Sequence, residues 1–198
     1  MTIEPASARD IARELARKYN TLDRNELNML ESILEPKKYF KGEMILREGE
    51  ICDCIYYIDF GLIRQFYFKK GRELTEHLGE DRSIFMCIES LFCHKPTKLQ
   101  VEALEPTHLF TLPKKKLEKI GQRNVNIQIL YRKILEESLI ISQIHADLVR
   151  FETAYERYRR MLMLFPHIIA RTPLVHIASY LQMTPETLSR IRKAMLSD

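Results

Sequence analysis

Several absences narrow what this 198-residue chain can be. No apolar run approaches the ~18 residues that a membrane span requires, and the opening MTIEPASARD lacks the charged-then-apolar order of a secretion signal. Both absences point to a cytoplasmic protein with no membrane partner. Cysteine is scarce: Cys52, Cys54, Cys87 and Cys93 are the only four, and none falls in a Cys-x-x-Cys pair or a Cys/His spacing suited to zinc. They read as free thiols acting as small buried hydrophobes, with Cys52 and Cys54 on one face of a strand. His77, His94 and His108 show no His-x-His, the spacing by which β-barrel metalloenzymes hold their metal. An enzyme is therefore not expected, and no catalytic residue, metal or cofactor is assigned.

What is present is an ordinary globular composition, 45% hydrophobic and 29% charged. The length suffices for one large or two small cores. The net charge of +4 is unevenly placed: residues 150–198 hold eight Lys/Arg against four Asp/Glu, leaving 23 of each sign in residues 1–149. A cationic end of this kind favours contact with a polyanion.

Residues 8–20 and 23–34 carry helical patterns, the second opened by Asp23 with Glu26 as a capping box and by Leu22 and Leu27 as a hydrophobic staple. The texture then changes. Gly42, Gly49, Gly61, Gly71 and Gly79 punctuate short β-type runs, MILR, CIYYIDF, LIRQFYF and ELTEHL, and the theme continues through LQVEAL and HLFTLP to Pro113. Short strands at this spacing predict a sandwich or rolled-up barrel. Pro113 suits the first position of a short helix, KKKLEKI, that ends near Gly121.

From Asn124 a long helix is predicted. Alternating steps of three and four pick out Ile127, Leu130, Ile134, Glu137, Ile141, Ile144 and Leu148, six of them apolar. So narrow a stripe predicts pairing with a second copy of the chain; the other reading is a helix lying on its own β-barrel. The register is lost near Arg150, and a further amphipathic helix runs to Pro166.

The last segment, PLVHIASYLQMTPETLSRIRKAM, has two short helical patterns separated by a tight turn. Leu174, Ile177, Ala178 and Leu181 share a face, and the small Ala178 allows a second helix to approach. Gln182 and Met183 make the turn, Thr184 caps the next helix and Pro185 takes its first position. Leu188, Ile191 and Met195 would face inward, while Pro185, Glu186, Ser189, Arg190 and Lys193 would face out. That is the sequence image of a helix-turn-helix, whose second helix fits the major groove of DNA. The DNA-contacting set is Thr184, Pro185, Glu186, Thr187, Ser189, Arg190, Arg192 and Lys193. Arg190 can donate a forked pair to guanine, braced by Glu186 one turn earlier, and Arg192 and Lys193 suit phosphate.

TPETLSRIRK after IASYL resembles the helix-turn-helix of the Crp/Fnr family of bacterial transcription regulators. The Gly49–Glu50, Tyr56–Tyr57–Ile58 and Gly61-x-Ile63–Arg64 texture resembles that family's β-roll, and AYERYRRMLMLFP resembles a linker helix found in a subgroup. The resemblance implies an α+β fold: N-terminal helices and a cyclic-nucleotide-binding-like β-roll (jelly roll) over residues 1–112, a short helix and a long dimerisation helix over 113–149, and a helix-turn-helix domain over 150–198. It implies a homodimer, with Ile127, Leu130, Ile134, Ile141, Ile144 and Leu148 at its interface. Double-stranded DNA, RNA polymerase and a small-molecule effector are the further partners implied. Glu186, Ser189 and Arg190 match the E-x-x-S-R pattern of the fumarate-nitrate branch, which implies a TTGA-type inverted repeat.

The departures are informative. Gln182 stands where the family usually has glycine, Pro185 where the cyclic-AMP receptor branch has a base-reading arginine, and the few residues after Met195 leave no room for a β-hairpin wing. The stretch comparable to the family's nucleotide cassette puts Cys87 and Ile88 in place of Gly-Glu, and Thr97 and Lys98 in place of Arg-Ser. A degenerate effector pocket at these four residues is expected, with a cyclic nucleotide disfavoured for want of a guanidinium. No cysteine precedes Cys52, so no iron–sulfur sensor is expected, and His77 and His94 read as solvated or hydrogen-bonded rather than haem ligands. The competing reading is a ligand-binding regulatory module whose last helices recruit a protein instead of DNA.

Overall fold

The computed structural model describes residues 4–195. The stretch beyond Met195, expected to hold no wing, lies outside them. Two capped helices open the fold, α1 (Ala8–Tyr19) and α2 (Arg24–Ile33). Each begins with a reciprocal capping box, Ser7 with Asp10 and Asp23 with Glu26, so two otherwise unpaired N–H groups are satisfied at each start.

Eight strands follow: β1 (Glu35–Tyr39), β2 (Met44–Leu46), β3 (Cys54–Phe60), β4 (Leu62–Lys69), β5 (Arg72–Glu80), β6 (Ile84–Phe85), β7 (Gln100–Ala103) and β8 (Thr107–Pro113). They form two four-stranded antiparallel sheets, ordered β1-β8-β3-β6 and β2-β7-β4-β5, which close into a roll. Gly61, between β3 and β4, has φ of 127°, and a Cβ there would stand 2.4 Å from Thr107 Oγ1, so only glycine fits the crossing. A short helix α3 (Ile88–Cys93) interrupts the strands. Pro113 ends β8 and caps α4 (Lys114–Gly121) rather than taking its first turn. Cys52 precedes β3 instead of lying on it, and of the four thiols Cys52 and Cys87 are buried, Cys54 half-buried and Cys93 exposed.

The 27-residue α5 (Val125–Phe151) is capped by Asn124, whose side chain accepts from the N–H groups of Asn126 and Ile127. Its first half lies on its own chain: Ile127, Leu130 and Ile134 are fully buried in one continuous core with α1, α2, α4 and the roll. Each such burial contributes about 1.5–3 kcal/mol. These three side chains therefore do not face a partner subunit, and Leu148 is likewise enclosed, in a second core with Tyr158, Met161 and Ile168. Only Ile141 and Ile144 of the expected interface are exposed, beside Leu139 (68%) and Ile140 (58%). Glu137, the polar break in the stripe, accepts from the Tyr19 hydroxyl and pairs with Lys18 at 2.9 Å on α1.

Four helices complete the described residues: α6 (Ala154–Leu164), α7 (Pro166–Arg171), α8 (Leu174–Tyr180) and α9 (Pro185–Met195). Thr153 with Glu156 forms another capping box for α6, and Pro166 starts α7 as its first residue. The core of this end includes Leu62 and Leu78 of the roll, so the two parts share buried surface.

Candidate nucleic-acid interface and adjoining cavity

α8 and α9 meet across a turn made by residues 181–184. Met183 N–H donates to Ala178 O at 2.9 Å, and Gln182 has φ of 51°, the left-handed conformation that glycine adopts without strain. Ile177, Ala178, Leu181 and Leu188 are buried between the helices, and Ile191 and Met195 pack against them. That packing fixes what α9 shows to solvent: Pro185, Glu186, Ser189, Arg190 and Lys193 are exposed, and Thr187 and Arg192 half-buried.

Thr184 Oγ1 accepts from Thr187 N–H at 3.2 Å, the expected cap. Arg190 Nη2 donates to Thr187 Oγ1 at 3.3 Å, so the brace on this arginine comes from three residues back rather than from Glu186. The Glu186 carboxyl is held below its ordinary pKa by its own backbone N–H and the Thr184 hydroxyl, with Arg190 a smaller contributor. The face thus offers a guanidinium, a carboxylate and two hydroxyls within two helical turns. These groups have the chemistry to pair with base edges in a wide groove, and Arg192 and Lys193 add two cations further along the helix.

The docking of this end on the roll was not legible in the sequence. Arg64 on β4 is buried, pairs with Glu73 and with Glu102 at 2.6 Å, lies over the Phe66 ring, and donates to His176 Nδ1 on α8 at 2.6 Å. Burial and the Arg64 charge both push the His176 pKa down, and because a guanidinium can only donate, Nδ1 is the accepting nitrogen of the neutral ring. Ser179 Oγ accepts from the Thr75 backbone on β5 at 2.8 Å. Arg171, at the end of α7, reaches Asp81 at 2.9 Å, Glu105 and the Gly61 carbonyl, and its fork is tightly held. The one signal for this in the sequence is Arg64 itself, a cation inside an apolar strand run.

On the other face of β4 lies a cavity of about 600 Å³ between the roll, α3 and α5. Cys87, Ile88, Thr97 and Lys98, the expected pocket residues, all line it. So do residues the sequence did not single out: Gln65, Glu76, His145 and Tyr180, and with them His77. Strand alternation sends Arg64 toward α8 and Gln65 into the cavity. A bulge in the β4–β5 pairing, where Gln65 faces His77 but Phe66 faces Thr75, leaves Glu76 without a partner and re-aims both it and His77 toward the hollow. Burial, with His145 adding, lowers the His77 pKa to about 4, and burial lowers that of His145. His145 stacks on the Tyr180 ring (centroids 4.4 Å apart, planes 14° apart) with Nε2 3.2 Å from Tyr180 O. The neighbouring Cys87 thiol, as a hydrogen-bond partner, is the main cause that lowers the Cys52 pKa.

Among the described residues no cluster of His, Cys, Asp or Glu is suited to hold a metal ion, and no helix is long and apolar enough to cross a membrane. Residues 36–124 match the family described as cyclic nucleotide-binding domain. Among solved structures the chain is similar to FixK2 from Bradyrhizobium japonicum (22% identity, TM-score 0.72, covering 83% of this chain and 85% of that one). It is similar also to the c-di-GMP responsive global regulator CLP of Xanthomonas campestris (15%, TM-score 0.67, covering 89% and 93%). A third is a CRP-family transcriptional regulator from Thermus thermophilus (16%, TM-score 0.64, covering 81% and 84%). No curated protein sequence matches the chain. Residues 36–124 are thus a domain of cyclic nucleotide-binding type, set in a chain that has the fold of the Crp/Fnr transcription regulators.

Proposed function

We propose that this protein is a sequence-specific DNA-binding transcription regulator that acts as a homodimer. The observation that carries the reading is the α9 face: Glu186, Ser189 and Arg190 exposed together on a helix whose opposite side, Leu188, is sealed into the α8 contact. Arg190 would read a guanine through its fork, a contact worth about 1–3 kcal/mol of discrimination. Glu186 would accept from a cytosine amino group, and Ser189 would touch a neighbouring base edge. Arg192 and Lys193 would anchor the helix on the phosphates.

Dimerisation would use the exposed segment of α5, with Leu139, Ile140, Ile141 and Ile144 apolar and uncovered in the single chain. A two-fold axis there would present two α9 helices to successive major grooves, so the site would be an inverted repeat, of TTGA type by the E-x-x-S-R pattern. RNA polymerase would be the protein partner at the promoter, and the cavity beside Cys87 and Thr97 would hold the effector.

The test is selection of bound sequences from random duplexes, followed by gel shift with Arg190→Ala. Recovery of a two-fold symmetric site, with sequence preference lost in the variant, is the expected result. Equal affinity for all duplexes removes the proposal, and an Arg190→Ala chain that binds its selected site unchanged favours the protein-recruiting alternative.

A further inference from the structure

The ligand class is written in the cavity walls. The carboxyl and amino groups lining it are those of Glu76, Glu89 and Lys98, beside the imidazoles of His77 and His145. Burial pushes both imidazole pKa values down and that of Glu76 up, so the formal charges of the lining are two carboxyls against the one ammonium of Lys98. No arginine among the described residues lines it, and Arg64 is committed on the far side of β4 to Glu73 and Glu102. A phosphate or carboxylate entering here would shed its water and find no guanidinium fork in exchange. The aromatic content points the same way: Tyr67, Phe85, His145 and Tyr180 line a volume suited to a small organic molecule.

We propose that the cavity takes a planar aromatic ligand, neutral or cationic, which lies against the His145–Tyr180 pair, and that Tyr180 transmits its occupancy to the DNA-reading helix. Tyr180 ends α8, four residues before the Thr184 cap of α9, and α8 is the helix docked on β5 through Ser179. A ligand touching Tyr180 favours this docked arrangement over any in which α8 has left the roll. Whatever factor the ligand then imposes on DNA affinity, DNA imposes on ligand affinity. The transmission half rests on the regulator reading; the ligand class rests on the cavity alone.

The experiment uses the full chain without DNA and five probes: quinoline, 1-methylquinolinium, quinoline-4-carboxylate, adenosine and cyclic AMP, titrated by ligand-observed NMR. Quinoline, its methylated cation and adenosine are expected to bind, with the carboxylate and cyclic AMP at least tenfold weaker than their uncharged counterparts. Tyr180→Ala is expected to weaken the binders at least tenfold, and Tyr180→Phe, which keeps the ring, to restore them. Anions that bind as well as the neutral probes, or no binding by any probe at millimolar concentration, overturn the ligand class. That ranking is read on the unsubstituted chain, so it stands whether or not Tyr180→Ala folds. Binders unaffected in a folded Tyr180→Ala chain overturn the wall contact. A gel shift with and without the tightest probe then reads transmission, and an unchanged DNA affinity overturns that half. Failure of the regulator reading itself shows separately, as equal affinity for all duplexes without probe.

Discussion

The two halves of α5 carry the same alternating spacing of apolar residues and put it to different uses. Ile127, Leu130 and Ile134 are sealed against α1, α2, α4 and the roll, whereas Leu139, Ile140, Ile141 and Ile144 stand in solvent in the single chain. Spacing in threes and fours says that one face of a helix seeks an apolar neighbour, but it does not say whether that neighbour belongs to the same chain. The division falls at Glu137, where the contact with Lys18 and Tyr19 of α1 ends. Before it the stripe serves stability; after it Ile141 and Ile144 are available for assembly, until Leu148 returns the stripe to a core of its own chain.

The largest expected effect tests the buried half. Leu130→Ala or Ile134→Ala should each cost about 2–5 kcal/mol of unfolding free energy, because a fully enclosed side chain leaves a cavity behind. Urea unfolding at two protein concentrations measures this, and a loss that disappears at high concentration would mean that these residues serve association after all. Next comes the exposed half. Leu139→Glu with Ile140→Glu should yield folded monomers by sedimentation at micromolar concentration and weaken binding to an inverted repeat at least a hundredfold. A persisting dimer would move the interface elsewhere.

Arg190→Ala carries the distinction to α9. It should reduce base discrimination by about 1–3 kcal/mol with the urea midpoint unchanged, since the side chain is exposed. An acid titration examines the junction between the roll and α5. The His77 pKa is lowered to about 4 in the fold, so the unfolded chain binds this proton more readily. Its contribution is complete above the unfolded value of about 6.5 and is lost as pH falls from there toward 4. His77→Gln should flatten that part of the stability profile. The smallest effect is expected at the turn: Gln182→Gly relieves a left-handed conformation but frees the unfolded chain, a net gain of about 0.5 kcal/mol in thermal unfolding.

What could be read from the sequence follows from how local each determinant is. The helix-turn-helix was legible because its cap, its leading proline and its inward residues lie within about twenty positions of one another. The longer strands were legible from runs such as CIYYIDF. β1 was not, because EPKKY is polar and mostly exposed, and it is a strand only through its pairing with β8. β6 is two residues long, and α7 begins at the proline where the sequence pattern ended. The four pocket residues were legible by position, but Gln65, Glu76, His77, His145 and Tyr180 join them only through a bulge and through the docking of α8. Such docking depends on residues about a hundred positions apart, Arg64 with His176 and Thr75 with Ser179, and no local pattern announces it.

Arg171 has a consequence for how binding to any polyanion is measured. Its contacts to Asp81, Glu105 and the Gly61 carbonyl make the seat of α8 and α9 itself sensitive to dissolved ions. The steepness with which added electrolyte weakens the complex then mixes two contributions, ions displaced from phosphates and ions drawn to a loosening junction. Exchanging Arg171 for methionine separates them: whatever change in steepness results belongs to that junction, and what remains counts the phosphates.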